Sequence, residues 1–183
     1  MIGDGARALV ARALAAGGEP ADAHDAALLE RMLSLFMQHY AENPVVHTRL
    51  LPGAREALAL GLPCALVTNK PRAVSLLVLE QLGIAGAFGA VFAGGDGPLK
   101  PAPDGVYAVA ETLGVPPERA WLVGDGPQDV LAGRAAGCFT VAVPGIAERE
   151  RVLAAEPDLV VESLLDVAGL AREACDRSGV TSA

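Results

Sequence analysis

The stretch Ala120-Trp121-Leu122-Val123-Gly124-Asp125-Gly126-Pro127-Gln128-Asp129 decides the fold. Its apolar run, Ala120–Val123, is too short for a buried helix and stops at glycine, which predicts a strand. If a helix begins near Pro127, it follows the strand almost at once. A strand that runs almost directly into a helix is the start of a βα unit. Asp125 and Asp129 then fall in or just before the first helical turn. They can share one cation or one lysine there, or act only as acids at a positive helix end.

The same texture continues on both sides. Short apolar runs at Cys64–Val67, Ala90–Phe92, Phe139–Val143 and Leu159–Val161 read as further strands. Helical segments lie near Ala73–Leu82, Gly105–Leu113, Val130–Ala136, Glu148–Ala155 and Leu164–Ala174. Strands that are apolar throughout and separated by single helices require right-handed crossovers and a parallel sheet covered on both faces. The expectation is a doubly wound α/β domain. Its ligands belong outside the carboxyl ends of the strands.

Before residue 60 there is no strand candidate. Leu9, Val10, Ala13 and Leu14, then Leu28, Leu29, Met32, Leu33, Phe36 and Met37, recur at helical spacing and predict two helices broken at Gly17-Gly18-Glu19-Pro20. The residues from Asp176 to Ala183 read as a frayed, disordered tail.

Composition narrows the class of function. The 183 residues carry 22 acids against 14 bases, a net charge of -8, the wrong sign for collecting nucleic-acid phosphates. Any phosphate must be gripped locally. Mean hydropathy is positive, yet runs such as Leu58–Val67 fall short of the roughly 20 residues that span a membrane. No secretory signal opens the chain, and Cys64, Cys138 and Cys175 lack metal or redox spacing. These features predict a cytoplasmic protein with reduced cysteines and no nucleic-acid or membrane partner. His24, His39 and His47 share no ligand spacing.

Two other strand ends carry chemistry. Cys64–Val67 runs into Thr68-Asn69-Lys70-Pro71, where Pro71 suits the first turn of the following helix because its missing N–H would have no partner there. A hydroxyl and free amides then face a positive helix end, which is a phosphate cradle or an ordinary helix cap. Ala90–Phe92 leads into Gly94-Gly95-Asp96-Gly97-Pro98-Leu99-Lys100-Pro101-Ala102-Pro103-Asp104. A lysine held between Pro98 and Pro101 loses less freedom on pointing at an anion than one on a flexible loop.

In this order, Val-Thr-Asn-Lys-Pro (67–71), Leu-Lys-Pro-Ala-Pro (99–103), Val-Gly-Asp-Gly-Pro-Gln-Asp (123–129) and Arg-Ala-Ala-Gly (134–137) resemble the second, third and fourth motifs of the haloacid dehalogenase superfamily and the run that follows them. The similarity is greatest to the phosphoglycolate phosphatase branch and covers Ile2 to about Leu170. The resemblance implies a Rossmann-like core over residues 49–175 and a partial helical cap over residues 1–48. It implies that Thr68 holds a phosphate oxygen through its hydroxyl and that Asn69 helps through its backbone amide. Lys100 would neutralise the phosphoryl charge, Asp125 would coordinate Mg²⁺, and Asp129 would orient Lys100 or a metal-bound water. Oxygen ligands without His or Cys suit Mg²⁺ better than zinc.

The expected activity is Mg²⁺-dependent hydrolysis of a small phosphorylated metabolite, 2-phosphoglycolate first, through an aspartyl-phosphate. The family's first motif, a strand ending in Asp-x-Asp-Gly-Thr with the nucleophile, has no counterpart in the sequence. Asp4, Asp22, Asp25, Asp96 and Asp104 lack a strand in the right place. The expectation is therefore an N-terminally truncated member, from a start set too late or from a shortened paralogue. Its central strand, between those of motifs two and four, would be missing and its own turnover low. The alternatives are a non-catalytic remnant and a related sugar-phosphate phosphatase or mutase. A true dehalogenase has no need of Asp125, and a receiver-type module gives no reason for the cap helices. Arg7 and Arg12 could meet a substrate carboxylate from the first cap helix.

Overall fold

The computed structural model describes residues 5–17, 26–143, 145 and 149–178. In chain order the elements are α1 (Ala6–Ala16), α2 (Ala26–Glu42), α3 (Ala54–Leu58), β1 (Ala65–Pro71), α4 (Arg72–Gln81), β2 (Ala90–Gly94), α5 (Asp104–Leu113), β3 (Trp121–Gly124), α6 (Pro127–Ala136), β4 (Phe139–Ala142), α7 (Arg149–Ala154), β5 (Leu159–Val160) and α8 (Leu164–Ser178). Every strand pair is parallel. The architecture is α/β with the helices as crossovers.

Period-2 alternation on β3 and β4 places a core on each face of their sheet. Val141 packs with Val161 and with Val167 of α8, joined by Trp121 and Val123. The next residue, Ala142, packs instead with Val130 of α6 and Val152 of α7. Leu122 joins α5 and α6 through Val106, Ala132 and Ala136. Both faces are thus covered, which is why these strands are apolar at almost every position, Thr140 being the exception. The N-terminal helices α1 and α2 pack on each other and sit over β1 and α4.

Ladders join β1 to β2, and separately β3 to β4 to β5. Among the described residues no ladder joins β1 to β3, so the strands form a two-stranded and a three-stranded parallel sheet. The halves are held by α5, which packs on β1 and β2 and also on α6, by α3, which precedes β1 and packs on α8, and by side chains of the candidate site.

Most element boundaries shift by one to three residues from the sequence reading, and two shifts matter for the site and the tail. β1 does not stop at Val67 but continues to Pro71, because the chain rejoins β2 there. Val67 pairs with Phe92 and Pro71 with Gly94, so Thr68, Asn69 and Lys70 lie against Ala93 alone in a wide bulge. Pro71, expected in the first turn of α4, instead ends β1 and caps that helix from outside, because the chain is still extended there. α8 runs through Asp176 to Ser178, so the tail boundary at Asp176 falls inside a helix; residues 179–183 lie outside the described residues. The break at Gly18–Pro20 and the start of the seventh helix at Glu148 also lie outside them.

β4 is tied to the turn before β5 by Thr140, which is wholly buried. The Thr140 amide and hydroxyl both donate to Asp158 Oδ2, at 2.8 and 2.7 Å, and the Asp158 amide donates back to Thr140 Oγ1 at 3.0 Å. These bonds hold the Asp158 carboxyl below its usual range, with the hydroxyl contributing most and the nearby Arg134 charge less. A carboxyl lowered in the folded state contributes stability above its unfolded value and loses it as pH falls through the folded one. The urea midpoint should therefore hold from neutrality to about pH 4 and fall below it, less steeply in Asp158→Asn.

Candidate active site

Lys100 reaches from the β2–α5 loop across the ends of β1 and β3. Its ammonium donates to the Val67 carbonyl at 2.6 Å and to Asp129 Oδ1 at 2.5 Å, with only 12% of the lysine and 10% of the aspartate side chain exposed. Asp129 is the third residue of α6, and its Oδ2 accepts the Gly126 amide at 3.0 Å, half of a capping box. Both carboxylate oxygens are thus committed. The close fit depends on Gly124, where a Cβ would stand 2.2 Å from Asp129 Cβ.

The β1 bulge presents the other residues. The Lys70 amide donates to Thr68 Oγ1 at 3.1 Å, which uses the oxygen as acceptor and leaves the hydroxyl proton to donate elsewhere. Asn69, 7% exposed, receives the Lys100 amide on Oδ1 at 2.8 Å and donates Nδ2 to the Lys100 carbonyl at 2.9 Å. This pair of bonds clamps the lysine backbone across 31 positions of sequence. It is a side-chain role that the motif comparison, which gave Asn69 only its amide, had not assigned. The approach of β2 is equally tight, since a Cβ at Gly94 would stand 2.9 Å from the Asn69 carbonyl. Val67, Thr68, Asn69 and Lys100 line one shallow concavity with Phe92 and Leu99.

Asn69→Ala should strip two buried backbone groups of their partners and lower the unfolding free energy by about 2 kcal/mol. Asn69→Asp should retain the bond from the Lys100 amide and lose the one to its carbonyl, so its urea midpoint is expected between the other two.

Asp125 stands apart from Asp129. It is exposed at the end of β3, and among the described residues its carboxylate has no hydrogen bond or ion pair. Of the two acids, Asp129 has the lysine. Among the described residues no group of three His, Cys, Asp or Glu could by itself enclose a metal. Of the rejected acids, Asp96 accepts the Ala93 amide at 2.9 Å and pairs with Arg72, and Asp104 opens α5. Asp4, Asp22, Asp25 and His24 lie outside the described residues. Burial pushes the Cys64 and Cys138 thiols up, with Glu118 adding to the effect on Cys138, so neither is poised as a nucleophile.

The α1–α2 pair closes over this end of the sheets. A cleft of about 310 Å³ lies between Gly5, Ala6, Arg7, Leu33 and Met37 on one side and Asn69, Pro71, Gly94, Gly95, Gly97 and Leu99 on the other. Arg7 pairs with Glu30 across the two helices. Lys70 donates to Tyr40 Oη on α2 at 2.6 Å, joining the helical pair to β1. Neither Lys70 nor Tyr40 was singled out from sequence, where only the Thr-Asn-Lys order could have flagged the lysine.

Residues 1–137 match the haloacid dehalogenase-like hydrolase family. The chain belongs to that family. Among its haloacid dehalogenase-like relatives, a phosphoglycolate phosphatase of Rhodospirillum rubrum is 38% identical over the whole of this chain and 80% of its own length. One from Chromobacterium violaceum is 36% identical over 91% of this chain and 75% of its own length. One from Pseudomonas putida is 38% identical over 89% of this chain, which spans 61% of that relative. Among solved structures, a predicted phosphoglycolate phosphatase from Haemophilus somnus superposes with a TM-score of 0.78 at 25% identity, covering 93% of this chain and 79% of that one. A β-phosphoglucomutase from Clostridium difficile gives 0.77 at 21% identity, covering 98% and 80%, a likeness of fold.

Proposed function

We propose that this haloacid dehalogenase-like chain is built for hydrolysis of a small phosphomonoester, with 2-phosphoglycolate the first substrate to test. The observation that carries the reading is the Lys100 ammonium, fixed by Val67 and Asp129 beside the Thr68 hydroxyl at the ends of two parallel strands. Phosphoryl transfer asks a protein mainly for positioning and charge stabilisation. Thr68 would donate to one phosphate oxygen and Lys100 would face another, while Asp129 keeps the ammonium charged and aimed. The α1–α2 pair would act as a cap that limits water and shapes the space for the leaving group.

Charge balance favours a divalent cation in this reading. Lys100 is already matched by Asp129, and Asp125 adds a negative charge, so a phosphate dianion meets no net attraction from these three groups. Asp125 is an open oxygen ligand, and Mg²⁺ commonly takes one or two carboxylates together with substrate phosphate oxygens. The residues present fit such an ion, with Asp125 as its protein ligand. When bound it would supply Lewis-acid stabilisation of phosphoryl charge. Three free thiols, Cys64, Cys138 and Cys175, accord with work in the reducing cytoplasm.

A second reading, phosphate binding without turnover, is favoured by the missing ladder between β1 and β3: no described strand there carries a nucleophilic acid. One experiment separates the two. Phosphate release from 2-phosphoglycolate, sugar phosphates and other small monoesters is followed with Mg²⁺ and with EDTA. Mg²⁺-dependent release led by 2-phosphoglycolate supports hydrolysis; calorimetric binding of phosphate with no release from any ester supports the second reading. Absence of both overturns the phosphate site.

A further inference from the structure

The residues assigned to phosphate leave Lys70 without a task. It follows Thr68 by two positions on the bulged end of β1, is part-buried, and donates to Tyr40 Oη at 2.6 Å. The Tyr40 ring is held edge-on by Phe36, with centroids 5.5 Å apart at 63°, so its hydroxyl is aimed toward the sheet. The ammonium lies 5.1 Å from the ring centre, nearly the full reach through the oxygen, and so sits beyond the hydroxyl near the ring plane. The contact is a hydrogen bond to a neutral phenol and not a cation over an aromatic face.

Among the described residues no carboxylate pairs with this ammonium. Two of its N–H donors remain, and the phenol keeps its own O–H donor. Donors gathered around a partly desolvated charge are suited to an anion. Leu33 and Met37 precede Tyr40 at helical spacing and line the cleft, so the pair stands at the cleft's margin on the α2 side. Arg7 also borders the cleft, but Glu30 already balances it.

We propose that Lys70 and Tyr40 form a subsite for a carboxylate on the alcohol part of the phosphomonoester, resting on the reading of Thr68 and Lys100 as the phosphate site. Two residues along a strand rise by at most roughly 7 Å. That span suits a phosphate and a carboxylate separated by one or two carbons. The substrate class is therefore a short phosphorylated hydroxy acid.

The test is calorimetric binding of inorganic phosphate, ethyl phosphate and 2-phosphoglycolate to the whole chain in one buffer, with and without Mg²⁺. The carboxylated ester should bind about tenfold or more tightly than ethyl phosphate. Lys70→Met should bring the two esters within about twofold of each other with ethyl phosphate affinity unchanged, Lys70→Arg should keep the preference, and Tyr40→Phe should reduce it by about threefold. A general loss of structure would weaken both esters alike, and circular dichroism of each variant checks the fold. A preference that survives Lys70→Met, or equal binding of the two esters to the unsubstituted protein, overturns the subsite alone. Failure of all three ligands to bind overturns the phosphate site and the subsite with it.

Discussion

Asp129→Ala is expected to lower the unfolding free energy by about 3 kcal/mol at neutral pH, a large effect for one side chain in the first turn of a helix. The cause is the charge left behind. With the carboxylate gone, the Lys100 ammonium, 12% exposed, keeps only the Val67 carbonyl, and the Gly126 amide loses its acceptor. Breaking a buried pair on one side is far costlier than removing both partners. The double variant Lys100→Met with Asp129→Leu should therefore regain most of the lost stability while losing phosphate affinity altogether. Urea unfolding of the three proteins, with phosphate titrated into each, separates the two roles. A loss under 0.5 kcal/mol, about the size of an exposed ion-pair effect, would show that solvent already screens the pair.

Gly124→Ala should do comparable damage without removing any charged group. The added methyl would fall 2.2 Å from Asp129 Cβ and 2.3 Å from its Cγ, distances that real side chains do not adopt. Either the first turn of α6 shifts or Asp129 rotates away, and in both cases the 2.5 Å contact to Lys100 is lost. Overpacking of this kind costs about 1–3 kcal/mol, and the released ammonium adds to it. Phosphate affinity should fall in step, because the lysine loses its aim. Gly86→Ala is the matched control: nothing lies within 4 Å of its would-be Cβ, and a small gain from reduced freedom of the unfolded chain is expected there. Unfolding midpoints and phosphate titrations of the two variants side by side check both statements.

The features legible in sequence were those set by local rules. Ala120–Val123 followed by glycine and Pro127 placed a strand end and a helix start almost where β3 and α6 meet, since proline and glycine act within a residue or two. The apolar texture of each strand reported two covered faces. The cluster at the strand ends followed from parallel topology, which gathers loops 30 residues apart at one edge. Distant partners left no such mark. The β1 bulge depends on where the chain rejoins β2, and the work of the Asn69 side chain depends on a backbone 31 residues away. Tyr40 looked like one more residue of an amphipathic helix, because periodicity reports which face is apolar and not which hydroxyl meets a lysine. Sequence leaves open whether Asp129 meets a cation or a lysine, and only its side-chain direction, set by the close fit at Gly124 and the Gly126 amide, gives it Lys100.

The two unjoined sheets give the molecule a division that its continuous helical cover conceals. Backbone ladders transmit protection from solvent exchange within each sheet, but between the halves the described coupling runs through α5 against α6, through α3 against α8 and through Lys100. Amide protons of β1 and β2 should therefore exchange as one cooperative group and those of β3, β4 and β5 as another, each with its own opening free energy. The lysine that faces the phosphate would then also be a strut between two folding units, and an anion seated on it would slow the exchange of both at once.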